Sequence, residues 1–165
     1  GRELGLSAQA GAALAALDED VASTTMTVAT AIARSGRRAR ALFVVDRQPG
    51  GLASLIAAGP GTYIDDHLRR AGADNVLADS PVRYPKISAE EILVRQPDIV
   101  FDAIHTNRPD EALSDWRALA GLVALNEGKI HVLGDTLFVS PGPRLGQALA
   151  RLATLMWPAP APSRL

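Results

Sequence analysis

Four short apolar runs, at residues 41–45, 75–77, 99–103 and 129–133, constrain this chain more than any other feature. None is long enough for a buried helix, and the runs at 41–45 and 99–101 are continuously apolar rather than alternating as a strand with one wet face would. A strand buried on both faces shows such a continuous run, which is the mark of a parallel sheet covered by helices on either side. The intervening segments carry helix signals. Thr62 is placed to cap a helix running to Ala71, with Asp65 in the capping-box position and Gly72 ending it. Ser88-Ala89-Glu90-Glu91 is a second capping box, and its helix must stop by Gln96 because Pro97 disfavours helical geometry in the residue before it. A third helix is expected over 115–125, ended by Gly128, and a fourth from Pro143 to Met156 ahead of Pro158. The pattern predicts an α/β fold, a three-layer, mainly parallel sheet flanked by helices, with right-handed crossovers.

One long helix is expected to precede this unit. Residues 7–34 are alanine-rich and lack proline, and they place Leu14, Leu17, Val21, Val28 and Ile32 at helical spacing, with Gly36 as the C-cap. Ser23, Thr24, Thr25 and Thr27 are weak helix formers that mark a potential bend. The chain therefore divides into residues 1–36, a helix, and residues 37–165, an α/β domain.

Composition excludes some functions. With 17 basic and 18 acidic residues, the chain has no basic field to hold a nucleic-acid backbone. Zero cysteines exclude disulfides, thiolate metal sites and cysteine nucleophiles. No apolar stretch approaches the ~20 residues needed to cross a bilayer. The opening Gly1-Arg2-Glu3-Leu4-Gly5 has neither an initiator methionine nor a hydrophobic signal core, which predicts that the chain begins inside a longer precursor or mature protein.

In open parallel sheets, ligands gather beyond the carboxyl ends of the strands. The loops at 46–61, 78–87, 104–110 and 134–142 should face that edge. In or beside them lie Arg47, Leu52, Arg83, Tyr84, His105, Asn107, Arg108, Phe138 and Arg144. Two loop aromatics accompanied by arginines suit a large, partly apolar, anionic ligand, which needs flat contact surface and a few orienting charges. Gly50-Gly51 and Gly59-Pro60-Gly61 match neither a Walker loop nor a dinucleotide fingerprint, and they are read as turns relying on glycine's tolerance of positive φ. No Gly-x-Ser-x-Gly elbow is present. Of the three histidines, His67 is expected on a solvated helix face, His131 in a strand, and only His105 at the working edge. None has the spacing of a metal site, and no cofactor is implied.

The order of these motifs resembles the class III periplasmic binding proteins, which serve cobalamin, ferric-siderophore and haem importers. The segments carrying the resemblance are Gly61-Thr62-Tyr63-Ile64-Asp65-Asp66-His67-Leu68, Ala71-Gly72-Ala73-Asp74-Asn75-Val76, Tyr84-Pro85-Lys86-Ile87-Ser88-Ala89-Glu90 and Gln96-Pro97-Asp98-Ile99-Val100. Trp116, Asn126-Glu127-Gly128-Lys129-Ile130 and Pro141-Gly142-Pro143-Arg144-Leu145 follow in order. The resemblance spans residues 40–158 and implies a two-lobe binding protein joined by one long helix, with the amino-terminal lobe absent here. It implies a non-catalytic protein that captures a metal chelate, a corrinoid first and a ferric siderophore or haem next, and delivers it to an ABC permease. Tyr84 and Arg144 would face the ligand, with Arg83, Leu52, His105 and Phe138 around them, and Glu90 would dock onto the permease. The location would be periplasmic, with a lipid anchor through the missing amino terminus as one option. The isolated lobe, lacking its partner lobe, would expose a helix face and form a homodimer.

Two other readings stand beside this one. Direct capture of a divalent metal ion would require His105 to join ligands from the missing lobe, and an α/β enzyme is also compatible with an open sheet.

Overall fold

The nine-residue strand β1 (Ala39–Arg47) is the axis of the sheet. The computed structural model describes residues 7–106, 108–134, 136–138 and 144–158. On one side β1 pairs in parallel with β5 (Ile99–Asp102), which pairs in parallel with β6 (Ile130–Val132). The other side of β1 is shared: its first residues pair in parallel with β3 (Ala73–Asn75), and its last pair antiparallel with β2 (Leu55–Ala57). A bulge between Val44 and Asp46 marks the junction. β2 in turn pairs antiparallel with β4 (Lys86–Ile87) at the sheet's edge.

Side chains alternate across β1 and β5, so each strand feeds two cores. Ala41, Phe43, Ile99 and Phe101 pack with α1 (Ser7–Ser35), α2 (Tyr63–Arg70) and α6 (Leu145–Met156). Leu42, Val44 and Val100 pack with α3 (Ala89–Arg95), α4 (Pro109–Trp116) and α5 (Val123–Asn126). The three-layer, mostly parallel architecture read from the apolar runs is the one found.

The helix termini follow the expected chemistry. Thr62 Oγ1 accepts from the Asp65 amide and Ser88 Oγ from the Glu91 amide. Gln96 closes α3 in the left-handed region at φ 44, directly before Pro97. Gly36 closes α1 at φ 73, its amide donating to Ile32 O. α1 runs without a break through Ser23–Thr27, because the hydroxyls of Thr25 and Thr27 bond to carbonyls four residues back and remain compatible with the helix.

Several boundaries differ from expectation. The strand expected at 75–77 is β3, two residues earlier, because the Asn75 side chain accepts from the Leu77 amide and turns the chain out of the ladder. β2 and β4 lie inside segments read as loops; at three and two residues they are too short to show a period. The single helix expected over 115–125 is replaced by α4 and α5. Pro109 starts α4 early by presetting its first-turn φ, and α4 ends at Trp116, whose buried indole is held from β5. Leu119 and Leu122 then turn into the same core before α5 begins. α6 starts at Leu145, while Pro143, the expected first residue, lies outside the described residues.

Candidate functional site

The carboxyl ends of β1 and β5 open into two different environments. On the α4 side, Arg47 is completely buried. Its Nε donates to Asp102 Oδ2 at 2.8 Å, one terminal nitrogen donates to Asp115 Oδ2 at 2.7 Å and to Gly51 O, and the other donates to Ala112 O. Asp102 is equally buried and also accepts from Trp116 Nε1 at 2.8 Å and from the Ile104 amide. A buried ion pair persists only when its remaining hydrogen-bonding capacity is satisfied, and here it is. Arg47 was expected to face the working edge; it is instead a structural tie between β1, β5 and α4.

On the α2 side lies a pocket of about 180 Å³ lined by Phe43, Val45, Tyr63, Ile64, Tyr84, Ala103, His105 and Phe138. β1 supplies its floor, the turn after β5 supplies His105, and the segment after β6 supplies Phe138. Phe43 and Phe138 meet edge to face with centroids 5.5 Å apart. The Tyr63 hydroxyl donates to the carbonyl oxygen of Phe138, tying the start of α2 to the opposite wall. Burial, with a further contribution from Tyr84, raises the Tyr63 phenol above the ordinary tyrosine value, so this wall stays neutral at physiological pH. Tyr84 is 49% exposed at the mouth, and His105 is exposed beside it. Such a pocket presents flat apolar surface with phenol and imidazole groups at its rim, which suits contact with one part of a planar ligand.

The structure thus brings Tyr84, His105 and Phe138 together. Leu52 is elsewhere: it is buried with Leu42, Val44 and Trp116 in the core on the opposite face of the sheet. Arg83 is exposed on the same loop as Tyr84. Arg144 is exposed as the residue preceding α6 and lies outside the pocket lining; Asp135, considered as its partner, and Asn107 lie outside the described residues. Glu90 is exposed in the first turn of α3, where a hydrogen bond from Ser88 holds its carboxyl below the usual glutamate value.

His67 corrects a sequence expectation. It is buried rather than solvated, its ring nitrogens facing the Tyr63 and Leu145 carbonyl oxygens, so it joins α2 to α6. His131 stacks on Phe101 with centroids 5.8 Å apart, and burial together with Arg151 lowers its pKa. Tyr63 was missed as a pocket residue because it reads as the first residue after an N-cap. Its position on the carboxyl side of the sheet, at the start of the helix after β2, was the available signal.

A second hollow, of about 880 Å³, runs between α1 and α6 past Thr27, Thr30, Ala31, Ala153 and Trp157. Met26 stands 74% exposed on it. No helix is long and apolar enough to cross a membrane among the described residues.

The family model described as periplasmic binding protein matches residues 1–137. The vitamin B12-binding protein of Vibrio cholerae is 28% identical over 102 residues, which is 62% of this chain and 36% of that protein. The cobalamin-binding protein of Halobacterium salinarum is 30% identical over 102 residues, 58% of this chain and 28% of that protein. Among solved structures, a periplasmic heme binding protein from Pseudomonas aeruginosa superposes with a TM-score of 0.80 at 30% identity, covering 96% of this chain and 57% of that one. The chain therefore spans about a third of the length of the curated relatives it matches and a little over half of that structure.

Proposed function

We propose, from the premise that this chain belongs to the periplasmic binding protein family, that it forms the carboxy-terminal lobe and connecting helix of a two-lobe substrate-binding protein. That protein captures a metal-chelate nutrient outside the cytoplasm and passes it to an ABC permease. The family and the relatives above are binding proteins, not enzymes. A corrinoid such as vitamin B12 is the favoured ligand, in line with the named activities of the Vibrio and Halobacterium relatives, and haem or a ferric siderophore comes next.

The observation carrying this reading is the aromatic pocket of Tyr63, Tyr84, His105 and Phe138 at the carboxyl ends of parallel strands. Tyr84 at its rim covers the apolar part of a macrocycle; Arg83 and Arg144 reach peripheral carboxylates, amides or phosphates through their planar donors. Glu90, free of ion pairs among the described residues and fully solvated, meets a basic patch on the permease. The α1 side bearing Met26 meets the amino-terminal lobe, and in the isolated chain it supports a homodimer instead.

Titration of the intact two-lobe protein with cyanocobalamin, hemin and a ferric hydroxamate, followed by visible absorbance, tests the reading. Saturable binding of one of the three is expected. Binding of none, with turnover of a hydrolysable substrate or selective binding of zinc, would replace it with one of the alternatives.

A further inference from the structure

The exposed loop that carries Tyr84 is seated on a single glycine. Gly59 does not have positive φ, unlike its neighbour Gly61 at φ 70, so its backbone conformation does not demand glycine. The demand is spatial. A Cβ at Gly59 would stand 2.7 Å from Val82 O, too close to be accommodated without a shift of that backbone, and in tight contact at 3.1 Å with Arg83 O and with Pro85 Cδ. The Gly59 amide donates to Arg83 O at 2.7 Å, and two residues earlier the Ala57 amide donates to Pro85 O at 3.0 Å. The loop at 82–85 is thus laid flush against the strand exit, with its backbone inward. Its side chains are turned out: Val82 is 52% and Tyr84 49% exposed.

The other side of Gly59 is equally fixed. The Ala58 amide donates to Phe43 O of the pocket floor, and Ala58 O accepts from the Asn75 side chain, which also bonds Asp65 of α2. Thr62 Oγ1 donates to Gly59 O while capping the helix that begins with Tyr63. One residue without a side chain therefore sits between the two tyrosines of the chain, setting how closely the Tyr84 loop approaches the Tyr63 wall.

We propose that Gly59 is a positioning residue for ligand capture: its missing side chain sets the distance between Tyr84 and the Tyr63–Phe138 wall, and so the width of the pocket mouth. Any larger residue pushes residues 82–85 outward by at least a few tenths of an ångström and opens the mouth. The effect is on geometry, so it differs from loss of a contact residue: both tyrosines remain, at the wrong spacing.

This inference rests on the reading of the pocket as the ligand edge, and the test separates the two. Wild type, Gly59→Ala, Tyr84→Ala and Gly51→Ala are compared in the intact two-lobe protein by titration with cyanocobalamin and hemin. Gly51 is the control, since a Cβ there meets nothing within 4 Å. Because this chain holds two tyrosines, phenolate absorbance during alkaline titration of the chain itself reads the spacing without any ligand. Gly59→Ala should weaken binding about tenfold, comparably to Tyr84→Ala, and should move the raised Tyr63 ionisation back toward the ordinary value, with Gly51→Ala unchanged in both. A wild-type phenolate curve in Gly59→Ala, or a lower melting temperature with intact affinity, overturns the positioning role. Unchanged affinity in Tyr84→Ala sinks the ligand-edge reading itself. Should Gly59→Ala fail to fold, Pro85→Gly loosens the same loop from its far side, and wild-type affinity in that variant would equally overturn the proposal.

Discussion

Arg47, the last residue of β1, and Arg83, in the loop before β4, both stand at the carboxyl edge of the sheet, and they end in opposite circumstances. Arg47 is closed off, with Asp102, Asp115 and three carbonyl oxygens consuming its donors. Arg83 is exposed beside Tyr84. The difference teaches where a ligand can act. A buried charge is tolerated only when its partners lie within the protein, so the Arg47–Asp102 cluster on the α4 side has no capacity left for an outside molecule. The α2 side keeps aromatic surface and polar atoms partly uncovered, and those are the groups available for exchange with a ligand. One side fixes the frame, and the other is where the proposed ligand would sit.

The largest test of this contrast is Asp102→Ala, which leaves the Arg47 guanidinium buried without its fully buried counter-charge. It should cost about 3–5 kcal/mol of stability in urea unfolding. A loss under about 1 kcal/mol would mean that the cluster is not the frame. Trp116→Phe keeps most of the apolar contact and removes one donor to Asp102, so a loss of about 1.5–3 kcal/mol is expected, read in the same experiment. Ligand affinity should follow neither change in variants that remain folded.

A smaller effect concerns pH. Burial and Arg151 disfavour the charged form of His131, so the unfolded chain takes up that proton more readily than the folded one. Stability attributable to this residue is therefore full above the ordinary histidine value near 6.5 and declines as pH falls below it. The urea midpoint should drop between pH 7.5 and about 5.5, and His131→Phe should flatten that slope. Asp98 behaves separately: the hydrogen bond from Arg37 and the Arg40 amide depress its pKa, so its contribution is lost only as pH falls below the ordinary aspartate value of 3.8. An unaltered slope in His131→Phe would assign the drop to other groups.

The smallest expected stability effect is at Glu90. Glu90→Arg should lower the melting temperature only slightly, through the lost hydrogen bond from Ser88, and leave ligand affinity as it is, yet it should slow import in cells carrying the permease. An unchanged import rate would remove Glu90 from docking.

Much of the fold was legible because burial on both faces writes a continuous apolar run, and because Thr62, Ser88, Gly36 and Pro97 punctuate helices by local chemistry. What was not legible depended on tertiary partners. β2 and β4 exist because β1 offers an antiparallel edge beyond its bulge, and nothing local announces a two-residue strand. Trp116 ends α4 where Asp102 can reach its indole, a contact across 14 positions in the chain. In the site, Tyr84, His105 and Phe138 were found from their place after strands. Leu52 followed the same rule yet turned inward, since an apolar side chain in a loop is drawn to the nearest core. His67 looked solvated beside Asp65 and Asp66, although helical spacing places it with Ile64 and Leu68 on the buried side of α2.

The central claim, that the α2 side of the carboxyl edge meets the ligand, is tested most directly by titrating the intact protein and its Tyr84→Ala variant with the ligand that binds the wild type. Tyr84 is half exposed and contributes little to the core, so the variant should melt as the wild type does while its dissociation constant rises about tenfold, on the order of 1–2 kcal/mol. An identical dissociation constant for the two proteins would contradict the account.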